Sequence, residues 1–302
     1  MKIYYIGAFK RLWDEECIAQ SFEDCGCEVI RQEQRGYTNA QFIEEIKKHN
    51  PDIVLFAKLL IIGDGWELLK SIKELGIPTV SWTFDLYCNY HREVTIPNLP
   101  FFYADYVFTT DGGNQKKFEK YGINHTCVRQ GIYEPHAFIG SPKPEYRFDV
   151  AFVGTSNPNY PFRTELTNFL SDNYDFKWVG KEDPNTFRGT DLNDFYATVK
   201  IVVGDSVPSP EYWSNRLYET LGRGGFIIFP EIEGIKKEYP MLPTYKGLDD
   251  LKEKIDYWLE HDIERTKLQI EMFDFTRINY TYKIRCQTIL KILEQKLGGI
   301  KG

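Results

Sequence analysis

The residues with the most chemical content lie in one run, Ser214-Asn215-Arg216-Leu217-Tyr218-Glu219-Thr220-Leu221-Gly222-Arg223-Gly224-Gly225. Pro208 and Pro210 forbid an earlier helix start, so Ser214 is expected to cap a helix that begins near Asn215. The free N–H groups of such a start, reinforced by Arg216, suit a phosphate. Glu219, about one turn further on, could accept both hydroxyl protons of a ribose. A phosphate at the tip and a ribose on Glu219 describe one end of a nucleotide sugar. The plainer alternative is an amphipathic helix in which Arg216 and Glu219 pair at i,i+3 for a few tenths of a kcal/mol. Two glycine turns favour the ligand. Val153-Gly154-Thr155-Ser156 offers hydroxyls beyond a strand with Arg163 following, and Val179-Gly180-Lys181 repeats the layout with an ammonium.

The first half of the chain has its own candidates. Val80-Ser81-Trp82-Thr83-Phe84-Asp85 ends a strand on a carboxylate, and His91 lies six residues on. Either could act as a base, although Asp85 could equally cap the next turn. Thr110 and Asp111 could bind a hydroxylated ligand, or they could be ordinary turn chemistry. Gly7 and Gln130-Gly131 occupy comparable strand-end positions. Gly7 stands alone, with no G-x-G-x-x-G, so a dinucleotide fingerprint is absent.

The elements that must position these residues alternate. Strands are expected at Lys2–Phe9, Glu28–Arg31, Ile53–Ala57, Thr79–Thr83, Tyr106–Thr109 and 125–129, with helices between them. Two prolines and a glycine at 139–147 read as a linker. Alternation resumes at Phe148–Val153 and runs through 176–179, 200–203 and 226–229. A last helix puts Cys286, Ile289, Leu290, Leu293 and Leu297 on one stripe. The pattern predicts an α/β protein with two doubly wound, Rossmann-like domains, 1–140 and 147–280, and a docking helix over 281–302. Such domains are expected to face each other across a ligand-binding cleft.

Composition narrows the field. Of 302 residues, 37 are basic and 44 acidic, a net charge of −7, which gives no general attraction for nucleic acid. No apolar run approaches the roughly 18 residues of a membrane span. The first residues read as a strand and not as a signal peptide, and six scattered cysteines without a C-x-x-C pair suit a cytoplasmic protein with reduced thiols.

These segments resemble group 1 GT-B glycosyltransferases, in particular the branch similar to spore maturation protein B. Ile77–Trp82 with Asp85, Tyr106–Asp111 and Gln130–Phe138 look like the first domain, and Phe148–Thr155 with Ser214–Gly225 look like the donor domain. The resemblance implies a metal-independent transferase, hexosyl or pentosyl, that uses a nucleotide sugar such as a UDP-sugar and no other cofactor. Glu211 and Glu219 keep the E-x7-E spacing of retaining members, although Glu211 lacks the usual Gly-Phe-Gly neighbours. The implied donor side comprises Gly154, Thr155, Arg163, Gly180, Lys181, Ser214, Asn215, Arg216 and Glu219, with Arg216, Lys181 and the helix tip stabilising the leaving diphosphate. The acceptor side comprises Gly7, Asp85, His91, Thr110, Asp111 and Gln130. The acceptor stays open between a glycan, a small molecule and a nucleic-acid base. Rival expectations are an epimerase-like hydrolase and a non-catalytic two-domain binding protein.

Overall fold

A computed structural model describes residues 1–58, 64–156, 161–181 and 187–298. The chain divides into two compact units, Met1–Gln130 with Tyr282–Gly302, and Gly131–Thr281.

The first unit carries a six-stranded parallel sheet. Its strands are β1 (Lys2–Gly7), β2 (Glu28–Glu33), β3 (Ile53–Phe56), β4 (Thr79–Thr83), β5 (Tyr106–Thr109) and β6 (His125–Cys127), in the order β2-β1-β3-β4-β5-β6. Burial follows position. Every residue of the interior strands β3 and β4 is buried, whereas the edge strand β2 buries only Val29 and Gln32. Strands covered on both faces favour apolar runs, and Ile53–Phe56 is one, whereas Thr79–Thr83 buries three hydroxyls beside Val80 and Trp82.

The connecting helices are α1 (Asp14–Glu23), α2 (Asn39–His49), α3 (Gly65–Glu74) and α4 (Gln115–Lys120). Helix α2 starts at a capping box. Thr38 Oγ1 accepts from the Gln41 N–H while Gln41 Oε1 accepts from the Thr38 N–H, and Asn50 ends the helix in the left-handed conformation.

The second unit has strands β7 (Val150–Val153), β8 (Phe176–Val179), β9 (Ile201–Val203), β10 (Ile227–Pro230) and β11 (Thr244–Tyr245), all parallel, in the order β11-β10-β9-β7-β8. Its helices are α5 (Pro161–Asn173), α6 (Thr190–Thr198), α7 (Arg216–Gly222), α8 (Ile235–Glu238), α9 (Gly247–Glu260) and α10 (Asp262–Asn279).

The segment 139–147 is not a free linker. It belongs to the second unit, where Ser141 N–H donates to Asp194 and Lys143 N–H donates to Thr198. Gly140 lies so close to the backbone of Asn193 and Asp194 that a Cβ there would collide with it. The chain instead enters this unit at Gly131, whose Cβ would come within 2.6 Å of the Tyr280 carbonyl, and Ile132 pairs with Thr281 where the chain leaves.

The last helix, α11 (Tyr282–Lys296), rejoins the first unit and packs on α1. Cys286, Ile289 and Leu293 of the expected stripe are buried, and Leu290 and Leu297 are half-buried. Tyr282 donates to Asp14 at 3.0 Å, and Arg285 donates to the Gln130 carbonyl at 3.1 Å.

Candidate functional site

Both sheets follow one winding rule: the first strand of each has the second strand on one side and the third on the other. Ligands in such sheets bind beyond the carboxyl ends of the strands at this switch of direction.

In the second unit the switch lies between β7 and β9, and a buried ion cluster sits there. Asp205, two residues past β9, is 4% exposed. Arg163 of α5 grips it with Nε to Oδ2 at 2.6 Å and Nη2 to Oδ1 at 3.2 Å, and its Nη1 donates to the Thr155 carbonyl at 2.7 Å. Arg216 of α7 binds the other side, through Nη1 to Asp205 Oδ1 and Nε to the Val153 carbonyl. Burial alone would raise the Asp205 carboxyl, but attraction by Arg216 and Arg163 outweighs it and holds the carboxyl below its ordinary value.

The glycines belong to this cluster. A Cβ on Gly154 would stand 2.5 Å from Arg216 Nη2, so the guanidinium needs a glycine beside it. A Cβ on Gly180 would touch the Gly154 backbone at 3.4 Å, and Lys181 Nζ lies 5.3 Å from the Trp178 ring centre. The two glycine turns, Arg163 and Arg216 are therefore neighbours, and Lys181 lies over Trp178, whose Nε1 donates to the Gly154 carbonyl at 2.7 Å. Two guanidiniums share one carboxylate, which leaves the cluster one net positive charge before Lys181 is counted.

The Ser214 expectation changes, and the plainer alternative for this helix does not hold. Ser214 does not cap the helix with its side chain, because its hydroxyl donates to the Asp205 carbonyl at 3.3 Å and Asn215 is the cap residue, without a side-chain cap bond. Asn215 Oδ1 is buried with no partner among the described residues. Arg216 and Glu219 do not pair either. Glu219 bonds Arg223 at i,i+4 (2.8 Å), and Arg223 also bonds the Gly189 carbonyl, Asn193 and His136 Nδ1. Burial and Arg223 push His136 down to about 4, so its ring is neutral near pH 7. Glu211 has other neighbours. It adopts φ 53, donates its N–H to the Glu233 carbonyl, and lies 3.5 Å from Lys237.

In the first unit a cavity of about 550 Å³ opens beyond β1, β3 and β4. Among its lining residues are Glu15, Lys58, Thr83, Asp85 and Gln130. Glu15 Oε2 accepts from the Ala8 N–H at 2.7 Å, and a Cβ on Gly7 would come within 3.1 Å of Oε1. Gly7 thus makes room for this carboxylate. Burial raises the Glu15 carboxyl, the Ala8 bond opposes it, and Asp14 and Glu33 add to the rise.

Asp85 is not a free base, because its Oδ2 pairs with Lys58 and, at 3.0 Å, with Arg92. His91 is exposed against Tyr90 and does not line the cavity. Asp111 is wholly buried and serves the fold: it accepts the N–H groups of Tyr87 and Cys88. Burial raises its carboxyl to about 7. Thr110 Oγ1 donates to the Phe84 carbonyl at 3.3 Å.

Asp205, Glu15, Lys58 and Thr83 were not singled out from sequence. The signal for Asp205 was available, since it follows Ile201–Val203 as closely as Asp85 follows Thr79–Thr83.

Residues 144–291 match the model of the glycosyl transferase-like family. Among solved structures, a DNA-modifying β-glucosyltransferase, studied with and without uridine diphosphoglucose, aligns over 97% of this chain and 100% of its own at 10% identity and TM-score 0.61. An α1,3-fucosyltransferase aligns over 99% and 91% at 13% identity and TM-score 0.56. The chain has a GT-B glycosyltransferase-like fold. A Listeria monocytogenes protein assigned as a UDP-N-acetylglucosamine 2-epimerase also shares it, over 98% and 96% at 11% identity and TM-score 0.53. No curated protein matches the chain in sequence. At these identities the likeness establishes a GT-B architecture, which transferases and an epimerase share, and chemistry must be argued from the site. Among the described residues no helix is long and apolar enough to cross a membrane, and no cluster of His, Cys, Asp and Glu could hold a metal.

Proposed function

We propose that this protein is a glycosyltransferase that moves a hexosyl or pentosyl group from a nucleotide sugar to a separate acceptor. One observation carries the reading. The segment that matches the glycosyl transferase-like model contains the Asp205 cluster, at the strand ends where such sheets take ligands.

On this reading the donor diphosphate lies against the Gly154 and Gly180 turns. Arg216 Nη2 faces that position, Lys181 adds a second positive group, and Asp205 with Arg163 hold the Arg216 guanidinium in place. Glu219 takes the ribose hydroxyls with the carboxylate that Arg223 orients. Fixed positive charge next to the departing diphosphate lowers the barrier without an added cation. The acceptor O–H or N–H attacks the anomeric carbon from the face that the diphosphate leaves; the new bond forms as the bond to the diphosphate breaks, and the acceptor's proton passes to the departing diphosphate oxygen. Retention of anomeric configuration, which the resemblance implies, is tested by NMR of the product anomer.

Thermal-shift measurements with UDP-, GDP-, ADP-, CDP- and dTDP-sugars, without added metal, test the reading. One nucleotide class should stabilise the protein, by about 2.7 kcal/mol at a hundredfold excess over Kd. Turnover should then need an acceptor, whereas release of nucleotide from donor alone as the main reaction would favour an epimerase-like hydrolase. No shift with any donor would refute the proposal.

A further inference from the structure

Helix α10 has two faces of different character. Met272, Phe273 and Thr276 are buried, the helix packs against α7, and Gln269 Nε2 donates to the Gly224 carbonyl at 2.5 Å. The outer face carries Ile263, Ile270 and Ile278, which are 88%, 48% and 64% exposed. Among the described residues five large aliphatic side chains are exposed, and these are three of them. A single exposed isoleucine is ordinary, but three along one helix face are not. At about 3.6 residues per turn, Ile263, Lys267, Ile270, Asp274 and Ile278 fall within about 80° of the helix circumference, in a stripe about 22 Å long.

The charges in the stripe say what covers it. Lys267 and Asp274 lie between the isoleucines, with Glu264 and Glu271 along one border and Arg277 along the other. Within the chain, Arg277 donates to Asp274 at 2.8 Å and Tyr257 donates to Glu264 at 2.7 Å. A second helix laid parallel would set Lys267 beside Lys267 and Asp274 beside Asp274. An antiparallel one sets unlike charges together. With a two-fold axis between Ile270 and Glu271, Ile263 meets Ile278 of the second copy and Lys267 meets Asp274 of the second copy, while the two Ile270 side chains flank the axis. Each contact occurs twice, as a two-fold interface requires. One like-charge approach remains, because the two Glu271 carboxylates come near each other beside the axis. The stripe therefore complements itself in one direction only, in its isoleucines and in its two central charges.

We propose that α10 pairs antiparallel with α10 of a second copy of this chain, giving a symmetric dimer. The assembly is independent of the glycosyltransferase reading. A single helix pair covers less than a standard interface, so the dimer dissociates in the micromolar range.

Sedimentation equilibrium of the full chain across the micromolar range tests this, with Tm of each variant under monomeric conditions as the check on folding. Wild type should dimerise. Ile270→Lys should weaken association at least about thirtyfold, since the change counts twice across the axis. Lys267→Glu and Asp274→Lys should each weaken it about tenfold, and the two together should return it to within about threefold of wild type. Glu271→Gln should tighten it about twofold. All four side chains lie outside the core, so Tm of the monomer should hardly move. A monomer at every concentration overturns the proposal and leaves the stripe to a different protein. A dimer that Ile270→Lys does not weaken also overturns it, and so do single charge variants whose combination associates no better than either alone.

Discussion

Replacing Asp205 with Asn should show how much the strand-end cluster contributes. The carboxylate takes two hydrogen bonds from Arg163 and one from Arg216, and both guanidinium side chains are about nine-tenths buried. The amide of the variant would keep the shape but offer one acceptor oxygen to two like charges. Removing one partner of a buried pair costs about 3–5 kcal/mol. The lower end applies, because Arg163 keeps the Thr155 carbonyl and Arg216 keeps the Val153 carbonyl and the backbone carbonyl of residue 205. About 3 kcal/mol corresponds to a fall in Tm of roughly 6–12 °C for a unit of this size. The effect should depend on pH in one direction. The folded carboxyl lies below its ordinary value, so its contribution is complete above about pH 4 and is lost as pH falls through the folded pKa. Calorimetry of D205N and wild type at pH 7 and in acid should show a wide gap that narrows on acidification. A gap under about 1 °C at pH 7, or one unchanged in acid, would refute the reasoning. Nucleotide-sugar affinity should fall in parallel, since Arg216 loses the group that aims it.

Glu219→Ala should keep the fold, because Arg223 retains the Gly189 carbonyl, Asn193 and His136, yet lose at least about tenfold in nucleotide-sugar affinity by calorimetric titration. Unchanged affinity would remove Glu219 from the donor site. Asp111→Asn tests the opposite pH sign: a folded pKa raised to about 7 means that wild type loses stability as pH rises from about 4 to 7. The Asn variant lacks that loss, so it should exceed wild type in Tm at pH 8 by a margin that closes toward pH 4; an equal difference at both pH values would disprove the assignment.

The alternation of strand and helix was legible because it is local. Ile53–Phe56 is an apolar run and Thr79–Thr83 is rich in β-branched residues, both bounded by turn residues, and Thr38 caps α2 through residues three apart. The glycine turns at 154 and 180 were legible for the same reason. Ion-pair choice was not local. Arg216 could be read as pairing within its own helix, where the gain is small. In the folded chain it finds Asp205, buried and held by a second guanidinium, where the interaction is far stronger than on a solvated helix face. Glu219, left without Arg216, turns to Arg223. The misreading of Ser214 follows from this, since the carbonyl that receives its hydroxyl belongs to the residue that organises the cluster.

Asp85 and Asp205 show where sequence reading stops. Both are acidic, and both lie two residues past a parallel strand. One meets Lys58 and Arg92 with more than a third of its side chain exposed, at the mouth of a cavity. The other is enclosed by Arg163 and Arg216 next to the first strand of its sheet. Periodicity locates the ends of strands but is silent on strand order, and the order β8-β7-β9 is what brings the α5 and α7 arginines to Asp205. The same holds for Glu15, which gains its place from the approach of the β1 turn to the head of α1, with Gly7 leaving the space. A carboxylate just beyond a strand is thus an ambiguous sign in sequence, and it becomes a specific one only when the neighbouring strands, and the cations they deliver, are known.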